Sequence, residues 1–294
     1  MEVIRAAELS VAPSRAADFF ELTKPRITSL VLLTAAVGFA VGTRGEFATL
    51  RFLIFMVGTA LLCAGASALN QYSERDADAR MVRTRTRPLA AGRLRPEEGL
   101  AFGLALSASG LILLAFVNPL TLFLGAASLT SYVLAYTPLK RVTSLCTVVG
   151  AVPGALPPLM GWAAARGSLG PAGLGLFAIL FLWQLPHFLA IGWLYRDDYA
   201  RGGFPMLAVT DPDGSSTGRQ AVLYATALLP VTLGAGLLAA AGPGYLWGAL
   251  ALGAAFLGCA VAFAWRRSVP AARSLFFASV LYLPLVLGLM VFDR

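Results

Sequence analysis

Residues 52–78 read FLIFMVGTALLCAGASALNQYSERDAD. From Phe52 to Tyr72 no Asp, Glu, Lys or Arg interrupts the run, and about 20 apolar residues suffice to cross the hydrocarbon of a bilayer. Lipid offers the backbone no hydrogen-bond partner, so a chain that crosses it must satisfy itself as a helix. The run then delivers Asn70, Glu74, Asp76 and Asp78 at the very edge of the span. Polar groups are costly there unless compensated. The stretch therefore reads as a membrane helix that ends in a concentration of oxygen ligands.

The rest of the chain repeats the first half of that pattern. Of 294 residues, 58% are hydrophobic and 13% charged, where soluble domains carry about a quarter charged. Nine segments lack charge: 27–43, 52–72, 99–117, 120–137, 143–162, 172–194, 220–240, 244–264 and 274–292. The expected fold is all-α and polytopic, with residues 1–294 as a single membrane-embedded domain. Asn118-Pro119 and Gly242-Pro243-Gly244 make tight turns between spans. Pro153, Pro157 and Pro158 are expected to bend or break the fifth span. Residues 1–24 hold no apolar run of signal-peptide length, and Asp18 to Leu22 suggests a short interfacial helix. Cys63, Cys146 and Cys259 have neither disulfide nor zinc spacing.

Net charge is +8, but the cations sit at span ends rather than on a nucleic-acid face. All 23 Lys and Arg except Arg44, Arg51, Arg166 and Arg294 fall on one side, which makes that side and the N-terminus cytoplasmic. Two long loops face the same way, 73–98 and 195–219, and hold nine of the 15 acids. They follow the second and sixth spans, four spans apart. Two four-helix repeats plus one final helix follow from that spacing.

Asn70, Glu74 and Asp78 are spaced by four. On a helix this lines three oxygen-bearing side chains along one face, about 6 Å apart in rise, and turns Asp76 elsewhere. Mg²⁺ takes one or two carboxylates together with substrate phosphate oxygens. A solvated helix end, with Arg75 and Arg80 pairing the acids, is the competing reading. Arg83 and Arg87 follow at once, and Lys24, Arg26, Lys140 and Arg141 face the same side. Singly, each is explained by topology; together they make a positive rim suited to a diphosphate. Asp198, four residues before Gly202, occupies the mirrored place in the second repeat as a further metal ligand. His187, the only histidine, lies inside the sixth span, where an ionisable group is a candidate for function; a hydrogen-bonded core residue is the alternative. On one continuous helix it would share a face with Asp198, roughly 16 Å away.

These residues resemble the UbiA-type intramembrane polyprenyltransferase family, whose pattern is nine spans and two acidic motifs. The first, Asn-x-x-x-Asp-x-x-x-Asp, is matched by Asn70, Glu74 and Asp78, with Glu for the middle Asp. The second, Asp-x-x-x-Asp-x-x-x-Gly, is matched by Asp198 and Gly202, but Leu194 stands where its first Asp belongs. The segments Leu22–Arg26, Asn70–Thr84, Arg87-Pro88, Tyr136–Arg141, Trp183–Phe188 and Tyr195–Met206 are similar to the heme-farnesylating branch, over about residues 20–290. The resemblance implies Mg²⁺-dependent transfer of farnesyl from farnesyl diphosphate to a vinyl group of protoheme IX, with addition of water. It implies Asn70, Glu74, Asp78 and Asp198 as catalytic metal ligands. Lys24, Arg26, Arg83, Arg87, Lys140 and Arg141 would hold the diphosphate, and His187 would orient the heme. The implied setting is a bacterial inner membrane, with the lipid bilayer around the chain, a heme-oxidising enzyme as downstream partner and no nucleic acid. Two other readings stand beside it. An enzyme of the same fold prenylating a quinone-precursor aromatic would want an acid at position 194 and no His187. A transporter would want polar residues in several spans.

Overall fold

The computed structural model describes residues 14–43 and 45–293. Residues 1–13 of the expected cytoplasmic segment, and the outer cations Arg44 and Arg294, lie outside the described residues. A short helix, α1 (Arg15–Leu22), is capped by the Ser14 side chain. The spans are α2 (Pro25–Gly42), α3 (Thr49–Asp78), α4 (Pro96–Ala115), α5 (Pro119–Thr130) continued by a π-helical turn (Ser131–Tyr136) and α6 (Thr137–Leu139), then α7 (Cys146–Arg166) and α8 (Pro171–Leu194). Two short helices, α9 (Arg196–Gly202) and α10 (Leu207–Thr210), precede α11 (Ser215–Leu238), α12 (Pro243–Arg266) and α13 (Val269–Phe292). Nine helices among the described residues are long and apolar enough to cross a membrane. Proline opens α2, α4, α5, α8 and α12, where its missing N–H would have had no intrahelical partner.

Consecutive spans are neighbours throughout, and α13 packs on α2 to close the ring. The pairings α2 on α3, α3 on α4 and α4 on α5 recur as α7 on α8, α8 on α11 and α11 on α12, so the two quartets share one plan. They meet chiefly where α2 crosses α7. A Cβ on Gly38 would overlap the Pro158 carbonyl, and one on Gly161 would overlap the Ala35 carbonyl. Lipid gives helices no hydrophobic drive toward each other, so close backbone approach through small residues must hold this seam.

The structure revises the expected boundaries. Helix α3 does not stop near Tyr72 but runs to Asp78, 30 residues in all, about 45 Å at 1.5 Å per residue, longer than the hydrocarbon core. The first long loop shrinks accordingly, and the second is largely taken up by α9, α10 and the start of α11. Helix α7 passes unbroken through its three prolines. Pro157 cannot donate to the Pro153 carbonyl; the Ser128 hydroxyl does so instead, at 3.4 Å. At Tyr195 (φ −117°, ψ 24°) the chain leaves the α8 helix, so His187 and Asp198 do not lie on one continuous helix as expected.

The expected interfacial helix is present as α1, but it is clasped by protein. Asp18 is buried and accepts from Arg93 Nε at 2.8 Å. Gln71 Nε2 donates to the Leu22 carbonyl at 3.0 Å.

Gly38→Ala should lower the thermal midpoint in detergent, since overpacking a tight contact costs about 1–3 kcal/mol. Gly258→Ala and Gly288→Ala, where nothing lies within 4 Å of the added methyl, should be neutral or raise it, by up to about 1 kcal/mol. Thermal unfolding of the three variants side by side checks both directions.

Candidate active site

The last two turns of α3 carry the acids. Asn70, Glu74 and Asp78 are 1%, 3% and 1% exposed, so each is inside the protein although it lies at a helix end. Asp76, turned away by the helical period, is exposed and pairs only with Arg75, at 3.8 Å. Arg80 does not pair with the acids; its Nη2 donates to the Gly202 carbonyl at 3.0 Å.

Cations reach these side chains from three directions. Lys140, just beyond α6, has its Nζ 3.0 Å from Glu74 Oε1 and donates to Oε2 at 3.2 Å. Arg87 Nη1 donates to Asp78 Oδ2 at 2.7 Å. Lys24 Nζ donates to Asn70 Oδ1 at 3.0 Å. Lys24 sits between α1 and α2 with φ 48°, a left-handed backbone that costs a non-glycine residue about 1 kcal/mol or more. The kink aligns its ammonium with the end of α3. Burial, and then the nearby Arg87 charge, push the Lys24 ammonium down to about 7. Arg141 is exposed and holds the Ser73 carbonyl at 2.8 Å. Arg26 stands exposed on the first turn of α2, outside this cluster.

Sequence reasoning missed the support beneath Asn70. Its Nδ2 donates to Thr137 Oγ1 at 3.2 Å, and Thr137 in turn donates to the Tyr132 carbonyl at 2.9 Å. The π-helical turn widens the span here, and its Tyr132 carbonyl accepts both the N–H and the hydroxyl of Thr137; such bulges are frequent at functional sites. The same turn brings Tyr136 under Lys140, with Nζ 4.8 Å from the ring centroid. The sequence signal was the segment Tyr136–Arg141, which contains Thr137 but does not announce its contact with Asn70.

Across the ring, Asp198 arrives at the same end. It is buried and accepts from the Val82 and Arg83 backbone N–H groups at 3.0 and 3.3 Å and from the Arg201 guanidinium. Burial pushes its carboxyl up, but Arg201 and the two N–H groups outweigh that and hold it below the usual carboxylate range. Both its oxygens are thus engaged in pinning the loop that follows α3. The Arg83 guanidinium lies over the rings of Tyr195 and Tyr199, 5.2 and 6.0 Å from their centroids. Gly202 is small for packing, because a Cβ there would meet Met81 Sδ at 2.9 Å and Phe204 at 3.0 Å. Met206 packs with Cys146, sulfur to sulfur at 3.7 Å, beneath the two loops.

His187 lies deeper in the fold. Its ring stacks between Trp183 and Phe276, at 5.1 and 5.2 Å, and Nδ1 is 2.7 Å from Ser279 Oγ.

Asp78 Oδ1 is buried with no hydrogen-bond partner, and Glu74 Oε1 meets Lys140 without a hydrogen bond of its own. A buried carboxylate oxygen left over calls for a cation or a donor. Among the described residues no three His, Cys, Asp or Glu side chains cluster tightly enough to hold a metal alone. The donor set fits a hard divalent ion whose remaining positions are filled by phosphate oxygens and water.

Residues 31–281 match the model of the UbiA prenyltransferase family. The chain belongs to this family. It is 49% identical to the protoheme IX farnesyltransferase of Solibacter usitatus, over 94% of this chain and 98% of that one. To the Myxococcus xanthus protoheme IX farnesyltransferase it is 45% identical, over 96% of both chains. Among solved structures, a digeranylgeranylglyceryl phosphate synthase shares the fold with a TM-score of 0.80 at 15% identity, over 95% of this chain and 98% of that one. A UbiA homolog from Archaeoglobus fulgidus bound to GPP and Mg²⁺ gives 0.66 at 14% identity, over 93% and 99%. The chain is a multi-pass membrane prenyltransferase.

Asp198→Ala should loosen residues 79–95. Trypsin should then cut at the arginines there several-fold faster in detergent, while a Glu74→Gln chain keeps the wild-type digestion rate. Unchanged digestion of Asp198→Ala would mean that the loop is held by other contacts.

Proposed function

We propose that this chain transfers the farnesyl group of farnesyl diphosphate to a vinyl carbon of protoheme IX, with addition of water and release of diphosphate. All 294 residues act as one domain in a bacterial inner membrane, with the N-terminus and the carboxylate-bearing helix ends on the cytoplasmic side. The carrying observation is the free oxygen of Asp78 beside Glu74, buried together and ringed by Lys24, Lys140 and Arg87. The choice of farnesyl and heme rests on the relatives of 45–49% identity, whose names state that reaction.

Mg²⁺ held by Glu74 and Asp78, with the Asn70 carbonyl beside them, would supply Lewis-acid charge to the diphosphate oxygens. Lys140, Arg87 and Lys24 neutralise the negative charge that grows as the allylic C–O bond breaks and its electron pair leaves with the diphosphate. Arg26, Arg83 and Arg141 add to the positive rim that draws the donor in. Asp198 helps by keeping the loop that carries Arg83 and Arg87 against this end. The vinyl π electrons of the heme form the new carbon–carbon bond to the first farnesyl carbon. The cation left next to the porphyrin takes its oxygen from water, and that water gives up a proton. A vinyl group has no proton to lose before attack, so the first step needs no general base, as a phenol acceptor would. His187 orients the porphyrin. A heme-oxidising enzyme is the class of partner that would consume the product.

Extracting hemes from membranes with and without the expressed chain tests this. A more hydrophobic, farnesylated heme should appear with the wild type, vanish with a metal chelator and return with Mg²⁺. Asp78→Asn and Glu74→Gln should each lower its rate by about 100-fold or more. Undiminished product from both Asp78→Ala and His187→Ala would sink the assigned site.

A further inference from the structure

The single histidine is held by a contact that decides its chemistry. Ser279 Oγ lies 2.5 Å from the Phe276 carbonyl oxygen and 2.7 Å from His187 Nδ1. A carbonyl only accepts, and a serine hydroxyl has one hydrogen. At 2.5 Å that hydrogen has to lie between the two oxygens. Ser279 therefore has nothing left to donate to the imidazole and can only accept from it. A proton on His187 Nδ1, donated to Ser279 Oγ, is the arrangement that satisfies both contacts, and it leaves the lone pair on Nε2.

The ring is fixed as well as tautomerised. Trp183 and Phe276 cover its two faces, and the Trp183 indole N–H is itself tied to the Ser279 carbonyl at 2.8 Å. Among the described residues nothing hydrogen-bonds to Nε2. The imidazole nitrogen without a protein partner is the one that carries the lone pair. Where histidine ligates a metal, an N–H of this kind hydrogen-bonded on the far side fixes the ring and raises its basicity.

We propose that Ser279 is a positioning residue for the acceptor: by accepting the Nδ1 proton it presents His187 Nε2 as the axial ligand of the heme iron. This rests on heme being the acceptor, and it adds an assignment in α13, 92 residues away in sequence.

The test titrates the detergent-solubilised full chain with protoheme IX and, separately, with iron-free protoporphyrin IX, following absorbance and the iron–histidine vibration of the ferrous complex. Ser279→Ala should weaken protoheme binding by about 10–100-fold and lower the iron–histidine frequency, while iron-free porphyrin binds as before. His187→Ala should abolish the vibration. In His187→Ala, added imidazole should restore ligation better than 1-methylimidazole, which has no N–H for Ser279. The preference should be lost in the Ser279→Ala/His187→Ala chain, a comparison that does not depend on how well Ser279→Ala alone folds. A His187-dependent heme spectrum that Ser279→Ala leaves unchanged would overturn this inference alone, as would equal loss of both porphyrins. Failure of the wild type to bind either porphyrin would overturn the heme reading with it.

Discussion

Two carboxylates buried at the end of a membrane helix set the terms for what surrounds them. A charge taken out of water costs several kcal/mol unless it is paired. Glu74 and Asp78 are paired from different parts of the chain, by Lys140 after the fourth span and Arg87 in the loop after the second. Lys24, at the head of the first span, reaches Asn70 on the same helix end. Lys140 and Arg87 thus balance the two carboxylates with Lys24 beside them, and a bound divalent ion would tip the balance to positive. A site with that balance is completed by an anion of several charges, which a diphosphate is. The same pairs fix the mutual position of α2, α3 and α6, so the electrostatics of the site also organise this end of the ring.

The two quartets share a plan but not a task. In the first, the helix runs on to Asp78 and carries all three oxygen-bearing side chains, Asn70, Glu74 and Asp78. In the second, the corresponding helix leaves α geometry at Tyr195, and Leu194 stands where the family pattern has an acid. What remains, Asp198, is spent on the backbone of residues 82 and 83 and on Arg201. The second quartet therefore contributes positioning: it pins the arginine loop of the first and, through α8 and α13, clamps the histidine. Hydrogen bonds from backbone N–H to a buried carboxylate are strong and directional, which suits them to holding a loop whose many like charges repel one another.

The span count and the acidic helix face could be read from sequence because both rest on local periodicities, apolar length and a spacing of four. What escaped depends on partners far away in sequence. The polar residues after Tyr72 suggested a loop, yet α3 continues because Gln71, Glu74 and Asp78 all find partners from other elements. Three prolines suggested a broken α7, yet a hydroxyl 25 residues away supplies a missing donor. Thr137 entered the site through a π-helical turn that no apolar pattern announces. The role of His187 was visible only as a lone histidine in an apolar span. Its tautomer required Ser279, which in the sequence is one serine among many.

On the proposed assignment, the depth of the histidine suits the chemistry. His187 lies eight residues before Tyr195, about 12 Å along the helix, so an iron ligand there sits well inside the lipid-spanning layer. The donor's reactive carbon is bonded to the diphosphate and cannot leave the charged end before the bond breaks. On that assignment the imidazole is held among Trp183, Phe276 and Ser279 rather than among the cations that meet the end of α3. On the proposed assignment, nucleophile and electrophile would be prepared in different dielectric surroundings and would meet at the boundary between them, where water for the final step is nearest.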